Sequence, residues 1–356
     1  MQSDLINIIA ESLMSGLDAV IEYLAQHVIT CLVPAFLIAG AIGALIKKEA
    51  ILRLFGATVP KYISYTVASV SGIALAVCSC TILPLFAGIY KKGAGLGPAT
   101  TFLFAGPAIN ILAMAYTAQV LGLELGLARA FFAILLALMV GLVMAIIFRE
   151  DLKEEDISEN IATSEEAERP VWITLLFFIL LFLMLIVAAS PLSSAVKWPA
   201  IYVLTLSVAL ILIYHFSREE VTEWGFETWD LTKKIFPLLI AGTFILGVFA
   251  YFVPPESFRP YLGDSNLWSN LLASVMGAVL YMPTLLEVPI VGGTLGYSSG
   301  VMSGGPALAL LLSGPTTSLP SLVVLYRVMG LKKTMVYWLL VVAASTTAGI
   351  IYGMLI

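Results

Sequence analysis

Phe104-Ala-Gly-Pro-Ala-Ile-Asn110 returns 208 residues later as Leu312-Ser-Gly-Pro-Thr-Thr-Ser318. Upstream, Gly97-Pro98-Ala99 matches Gly305-Pro306-Ala307 at the same offset. Further back, Cys78-Ser-Cys-Thr-Ile-Leu-Pro84 lines up with Pro283-Thr-Leu-Leu-Glu-Val-Pro289, now offset by 205. Pro34-Ala-Phe-Leu-Ile-Ala-Gly40 corresponds to Pro237-Leu-Leu-Ile-Ala-Gly242. Prolines and glycines shared in the same order predict a duplicated chain. The alternative is coincidence in a glycine-rich sequence.

The repeats lie in an apolar background. Of 356 residues, 60% are hydrophobic and 12% charged, with a mean hydropathy of +1.01. A soluble domain is about 45–50% apolar and about 25% charged. The excess forms continuous blocks such as Val28–Ile46, Ala128–Phe148, Val171–Ala189 and Tyr337–Ile356. Each reaches the ~20 residues that cross a hydrocarbon core as helix. Continuous blocks exclude a barrel, whose strands alternate, and leave helices as the spanning element. The chain therefore reads as an all-α polytopic membrane protein. Three cysteines, Cys31, Cys78 and Cys80, make no disulfide framework.

The division follows from the repeats. Residues 1–27 are punctuated by Asp4, Glu11, Asp18 and Glu22 and predict an amphipathic helix at the interface or leading into the first span. Residues 28–148 form repeat 1 and 235–356 repeat 2. Between them, 149–234 holds two linking helices and two charged loops, the first with nine Asp or Glu against three Lys or Arg.

Charge placement selects the topology. If 62–90 and 267–298 were ordinary spans, the basic residues would split ten against eight across the membrane. If each is a hairpin that enters and leaves on one face, 15 lie inside and three (Arg129, Lys197, Arg259) outside. Neither stretch is long enough to cross twice, so each is a re-entrant loop whose tip must be buried or line a wet cavity. The halves then face opposite ways, an architecture recurrent among secondary transporters. The expectation is about eight spans, two re-entrant hairpins, and both termini outside the cytoplasm.

The candidate site follows the interruptions. Pro84, Pro289, Pro107 and Pro315 each remove a helical hydrogen bond and free a carbonyl four residues back. A kink relieved by Ser and Thr is the structural alternative for each. Cys78 and Cys80, flanked by Ser79 and Thr81, could share one soft ligand only where the chain is not helical, since residues two apart on a helix diverge. Otherwise they are small apolar core residues. Glu287 occupies the place of Ile82 in the other hairpin, beside Thr284. An ionisable residue there is a proton carrier, a cation ligand or a structural acid. Asn110, Thr316, Thr317 and Ser318 are candidate polar liners. Glu124 and Arg129 read as solvated residues of an outer loop. No phosphate-binding, dinucleotide, haem or zinc motif is present, so no cofactor and no nucleic-acid partner is expected.

Cys78-Ser-Cys-Thr-Ile-Leu-Pro-Leu-Phe-Ala-Gly88, the Lys-Lys-Gly turn ending at Gly93, and the 104–110, 281–289 and 312–320 stretches resemble the ArsP-type permeases. Characterised members of that family export trivalent organoarsenicals. The resemblance implies a secondary exporter of a prokaryotic cytoplasmic membrane, with Cys78 and Cys80 as metalloid-binding thiols. Some members carry a cysteine motif in both halves; here Pro283-Thr-Leu-Leu-Glu287 stands in the second. The combined expectation is a transporter, not an enzyme, working by alternating access. Cys78 and Cys80 would hold a soft small molecule or metalloid, and Glu287 a coupling proton. The alternatives are a permease for a sulfur compound or metal ion, or a membrane thiol oxidoreductase using the cysteine pair. The many glycines are compatible with a homodimer.

Overall fold

The computed structural model describes residues 2–25, 32–45, 60–75, 79–148, 170–189, 193–252, 255–280, 282 and 287–356. Among them every regular element is helical. In chain order these are α1 (Gln2–Tyr23), α2 (Val33–Leu45), α3 (Lys61–Leu75), α4 (Ser79–Lys91), α5 (Leu96–Ala108), α6 (Ile111–Val120), α7 (Leu123–Ile147), α8 (Val171–Ala189), α9 (Ser194–His215) and α10 (Arg218–Phe252). A 3₁₀ turn, Pro255–Tyr261, leads to α11 (Leu267–Val279). After it come a short helical segment, Glu287–Thr294, then α12 (Gly304–Ser313) and α13 (Leu319–Leu355).

Three described helices are long and apolar enough to cross a membrane alone: Leu123–Ile147, Ala195–His215 and Leu319–Leu355. The bent pair Leu96–Ala108 and Ala113–Val120 would make a fourth. The other apolar helices described are shorter. Large apolar side chains point outward along α7 (Leu127, Phe131, Leu138, Ile146) and α8 (Leu175, Ile179, Leu183). Water would not tolerate such surfaces; lipid matches them.

Positions paired by the sequence offsets are built alike. Helix α5 ends before Asn110, whose Oδ1 accepts from the Ala113 amide at 3.4 Å and so caps α6. At the equivalent place Ser318 caps α13, its side chain accepting from the Ser321 amide. Gly122 and Gly330 then take positive φ (106° and 83°), a region open to glycine. Gly330 bends α13 into two pieces, which the offsets pair with α6 and α7. The close packing repeats as well. A Cβ on Gly97 would lie 3.0 Å from the Gly141 carbonyl, and one on Gly305 2.7 Å from that of Gly349.

Contacts also fix relative heights. Tyr65, in the second turn of α3, has its hydroxyl beside Gly97 at the start of α5. So α3 and α5 begin at one level, and α4 must return to that level to reach the turn at Gly93. In the second half, Ser265 and Asn270 at the start of α11 meet Gly305 at the start of α12. Lys333, early in the second piece of α13, donates to the Tyr90 hydroxyl at the end of α4 (3.1 Å). That end, with Lys91, Lys233, Lys234 and Arg327 close by, is the basic face of the molecule. Gly292 of the second half instead touches Leu121, at the far end of α6.

Helix α1 lies antiparallel to the second half of α10. Tyr251 donates to Glu11 (2.6 Å) and Ser15 to the Gly247 carbonyl (3.0 Å). Its opposite face shows Leu13, Met14, Leu17 and Ile21 exposed. Helix α2 packs on the first half of α10, where the Trp224 indole donates to the Leu37 carbonyl (2.9 Å).

Candidate functional site

The second interruption of the membrane pattern resumes as helix at Glu287, and this residue is fully buried. A lone carboxylate at such a place would cost several kcal/mol. It is not alone. Arg129 of α7, in the first half, is also fully buried, and its Nη2 donates to Glu287 Oε1. Arg129 Nη1 donates to Thr117 Oγ1 of α6 at 2.7 Å. Thr117 in turn donates to the Ala113 carbonyl at 2.7 Å. Helix α6 thus orients the guanidinium, α7 carries it, and the second half presents the acid.

The pair is incompletely satisfied. Arg129 Nε and Glu287 Oε2 are both buried with no hydrogen-bond partner among the described residues. Oε2 faces Gly314, where an added Cβ would approach it to 3.3 Å. The acid therefore rests on the Gly314-Pro315 break of its own half, in a space that glycine leaves. Arg129 stands six residues into α7, roughly 9 Å along its axis.

This corrects the expectation that Arg129 is a solvated loop residue. An arginine near one end of an apolar run reads as an interfacial flank, and only the fold turns it inward. Glu124, by contrast, is exposed, as expected. Nothing in the sequence marks Thr117, a single threonine in an apolar helix.

The other candidate residues divide. Cys78 and Thr284 lie outside the described residues. Ser79 and Cys80 are the first described residues of α4. Thr81 is buried in its first turn, and Pro84 lies inside the same helix. Pro107 sits in the last turn of α5, all of which is buried. The hydroxyls at the second break are engaged locally: Thr316 donates to the Ser313 carbonyl (2.9 Å), Thr317 to the same carbonyl (3.2 Å), and Ser318 pairs with Ser321 (2.8 Å). These bonds support the broken backbone around Pro315. Among the described residues no cluster of three His, Cys, Asp or Glu could hold a metal ion.

A cavity of about 790 Å³ opens at the basic face between α4, α10 and α13. It is lined by Ala87 and Tyr90 from the first half and Arg327 and Val328 from the second. The repeat offsets pair Ala87 with Gly292, and Val328 with Val120, which directly precedes Leu121. At the basic face Ala87 and Val328 leave this cavity between them. At the far face Gly292 and Leu121 close on each other, Gly292 lying in the same short segment as Glu287.

Its long apolar helices with outward-facing large apolar side chains make this a multi-pass membrane protein. The particular family follows from comparison: the ArsP_1 model, described as a predicted permease, matches residues 13–354, and the chain belongs to that family. It is 42% identical to a UPF0718 protein of Methanocaldococcus jannaschii over the full length of both chains. It is 23% identical to the UPF0718 protein YraQ of Escherichia coli over 82% of this chain and 67% of the relative. No solved structure matches it.

Proposed function

We propose that the chain is a proton-coupled secondary exporter working by alternating access, with the Arg129–Glu287 pair as the lock on its non-cytoplasmic side. The observation that carries this reading is the pair itself, which ties α7 of one half to the second interruption of the other. The open cavity at the opposite face supports a state open to the cytoplasm and closed outward.

The architecture in this reading is an inverted repeat of about eight spans and two re-entrant hairpins. Support comes from the shared level of the α3 and α5 starts, and from the Lys333–Tyr90 contact at one face against Gly292–Leu121 at the other. The basic face is cytoplasmic by the charge rule. The membrane is the cytoplasmic one of a prokaryote, with both termini outside.

In the cycle, cargo enters from the cytoplasm while Glu287 is ionised and held by Arg129. Outward opening separates the pair and exposes Glu287, which takes a proton from outside. Protonation neutralises Glu287 and lowers the cost of burying it again, so the chain can return; once the proton leaves inward, the ionised carboxylate re-forms the lock with Arg129. Cys78 and Cys80 receive the cargo. For a monosubstituted trivalent arsenical, two As–O bonds would be replaced by two As–S bonds, with two waters released.

The test is uptake of trivalent methyl- and phenyl-arsenicals into everted vesicles, comparing wild type with Cys78→Ser, Cys80→Ser and Glu287→Gln. We expect each cysteine change to abolish uptake and Glu287→Gln to uncouple it from the pH gradient. Uptake that survives both cysteine changes would sink the thiol site. Gradient dependence retained in Glu287→Gln would remove the proton role.

A further inference from the structure

The basic-face cavity carries more positive charge than its neighbours neutralise. Lys91 is bound by Glu227 (2.7 Å) and lies 4.0 Å from Asp230. Lys234 is bound by Asp230 at 2.7 Å. The Lys234 hydrogen bond holds the Asp230 carboxyl below its ordinary range, so this acid stays charged. Lys333 donates to Tyr90. That leaves Lys233 and Arg327, both lining the cavity, with no ion-pair partner within 4.0 Å among the described residues. They come from different helices, α10 and α13, and converge on one space. Beneath them the wall is apolar, formed by Leu231, Ile235, Leu238 and Val328.

We propose that this cavity binds a phosphate-bearing anion, with Lys233 and Arg327 as its ligands. Arg327 offers a planar fork matched to phosphate oxygens, and Lys233 a mobile point charge. A volume of about 790 Å³ admits a phospholipid headgroup. A charged rim over an apolar wall suits a group that carries acyl chains. Free inorganic phosphate shares the recognition chemistry and is separated by the test. This binding needs neither the cargo nor the proton coupling, so either reading can fail while the other stands.

The full chain is placed in phosphatidylcholine nanodiscs and titrated with phosphatidylglycerol, or separately with inorganic phosphate. Binding is read by native mass spectrometry and by the shift in thermal midpoint. The expected result is saturable binding, weakened about fivefold by Lys233→Gln and by Arg327→Gln, since a basic residue near an anionic lipid contributes about that factor. Lys332→Gln, on the same face but away from the cavity, should leave it unchanged. Saturation by phosphatidylglycerol alone assigns the site to lipid; saturation by inorganic phosphate assigns it to a soluble anion. No binding of either, or an equal loss in Lys332→Gln, overturns the proposal, the latter because it would mean a diffuse surface potential.

Discussion

At the scale of the residue, breaking the Arg129–Glu287 pair costs far more than forming it contributes. Assembling a buried ion pair offsets two desolvation costs, while removing one partner strands the other. Glu287→Ala should therefore lower stability by about 3–5 kcal/mol, read as a fall in thermal midpoint in detergent. The double change Glu287→Ala with Arg129→Leu should recover part of that loss. A double variant no more stable than the sum of the two singles would show that the residues do not interact. The carboxylate was legible as a functional candidate because charge is rare in an apolar stretch. Its partner was not, since sequence places Arg129 at the end of a run and cannot say which way the helix is turned.

At the scale of the element, the breaks at 109–110 and 314–318 use one device. Proline removes the hydrogen bond that would continue the helix, and a polar side chain caps the next piece. Asn110→Ala and Ser318→Ala should each cost about 0.5–2 kcal/mol, measured by chemical denaturation in mild detergent. If both are neutral, the caps do not hold the breaks. Gly122 and Gly330 hold positive-φ backbone between paired pieces. Alanine at either should cost about 1–3 kcal/mol by the same measurement. These elements were readable from spacing because Gly and Pro act on their own backbone. The local hydroxyl bonds of Thr316 and Thr317 were not, for a hydroxyl can serve its helix or a solute equally.

At the scale of the whole molecule, closure at Gly292–Leu121 against opening at Ala87–Val328 makes a mechanical prediction. A disulfide between Leu121→Cys and Gly292→Cys, confirmed by peptide mapping, should stop transport, and a reductant should restore it. Normal transport by the cross-linked protein would refute gating at this place. The duplicated order of prolines and glycines and the long apolar blocks were determined by the sequence itself, because hydrophobic length and backbone chemistry are local properties. The inward turn of Arg129, its meeting with Glu287 across 158 positions of chain, and the convergence of Lys233 and Arg327 were decided only by the tertiary structure. Burial and charge pairing depend on what the rest of the chain brings alongside, and no single segment carries that information.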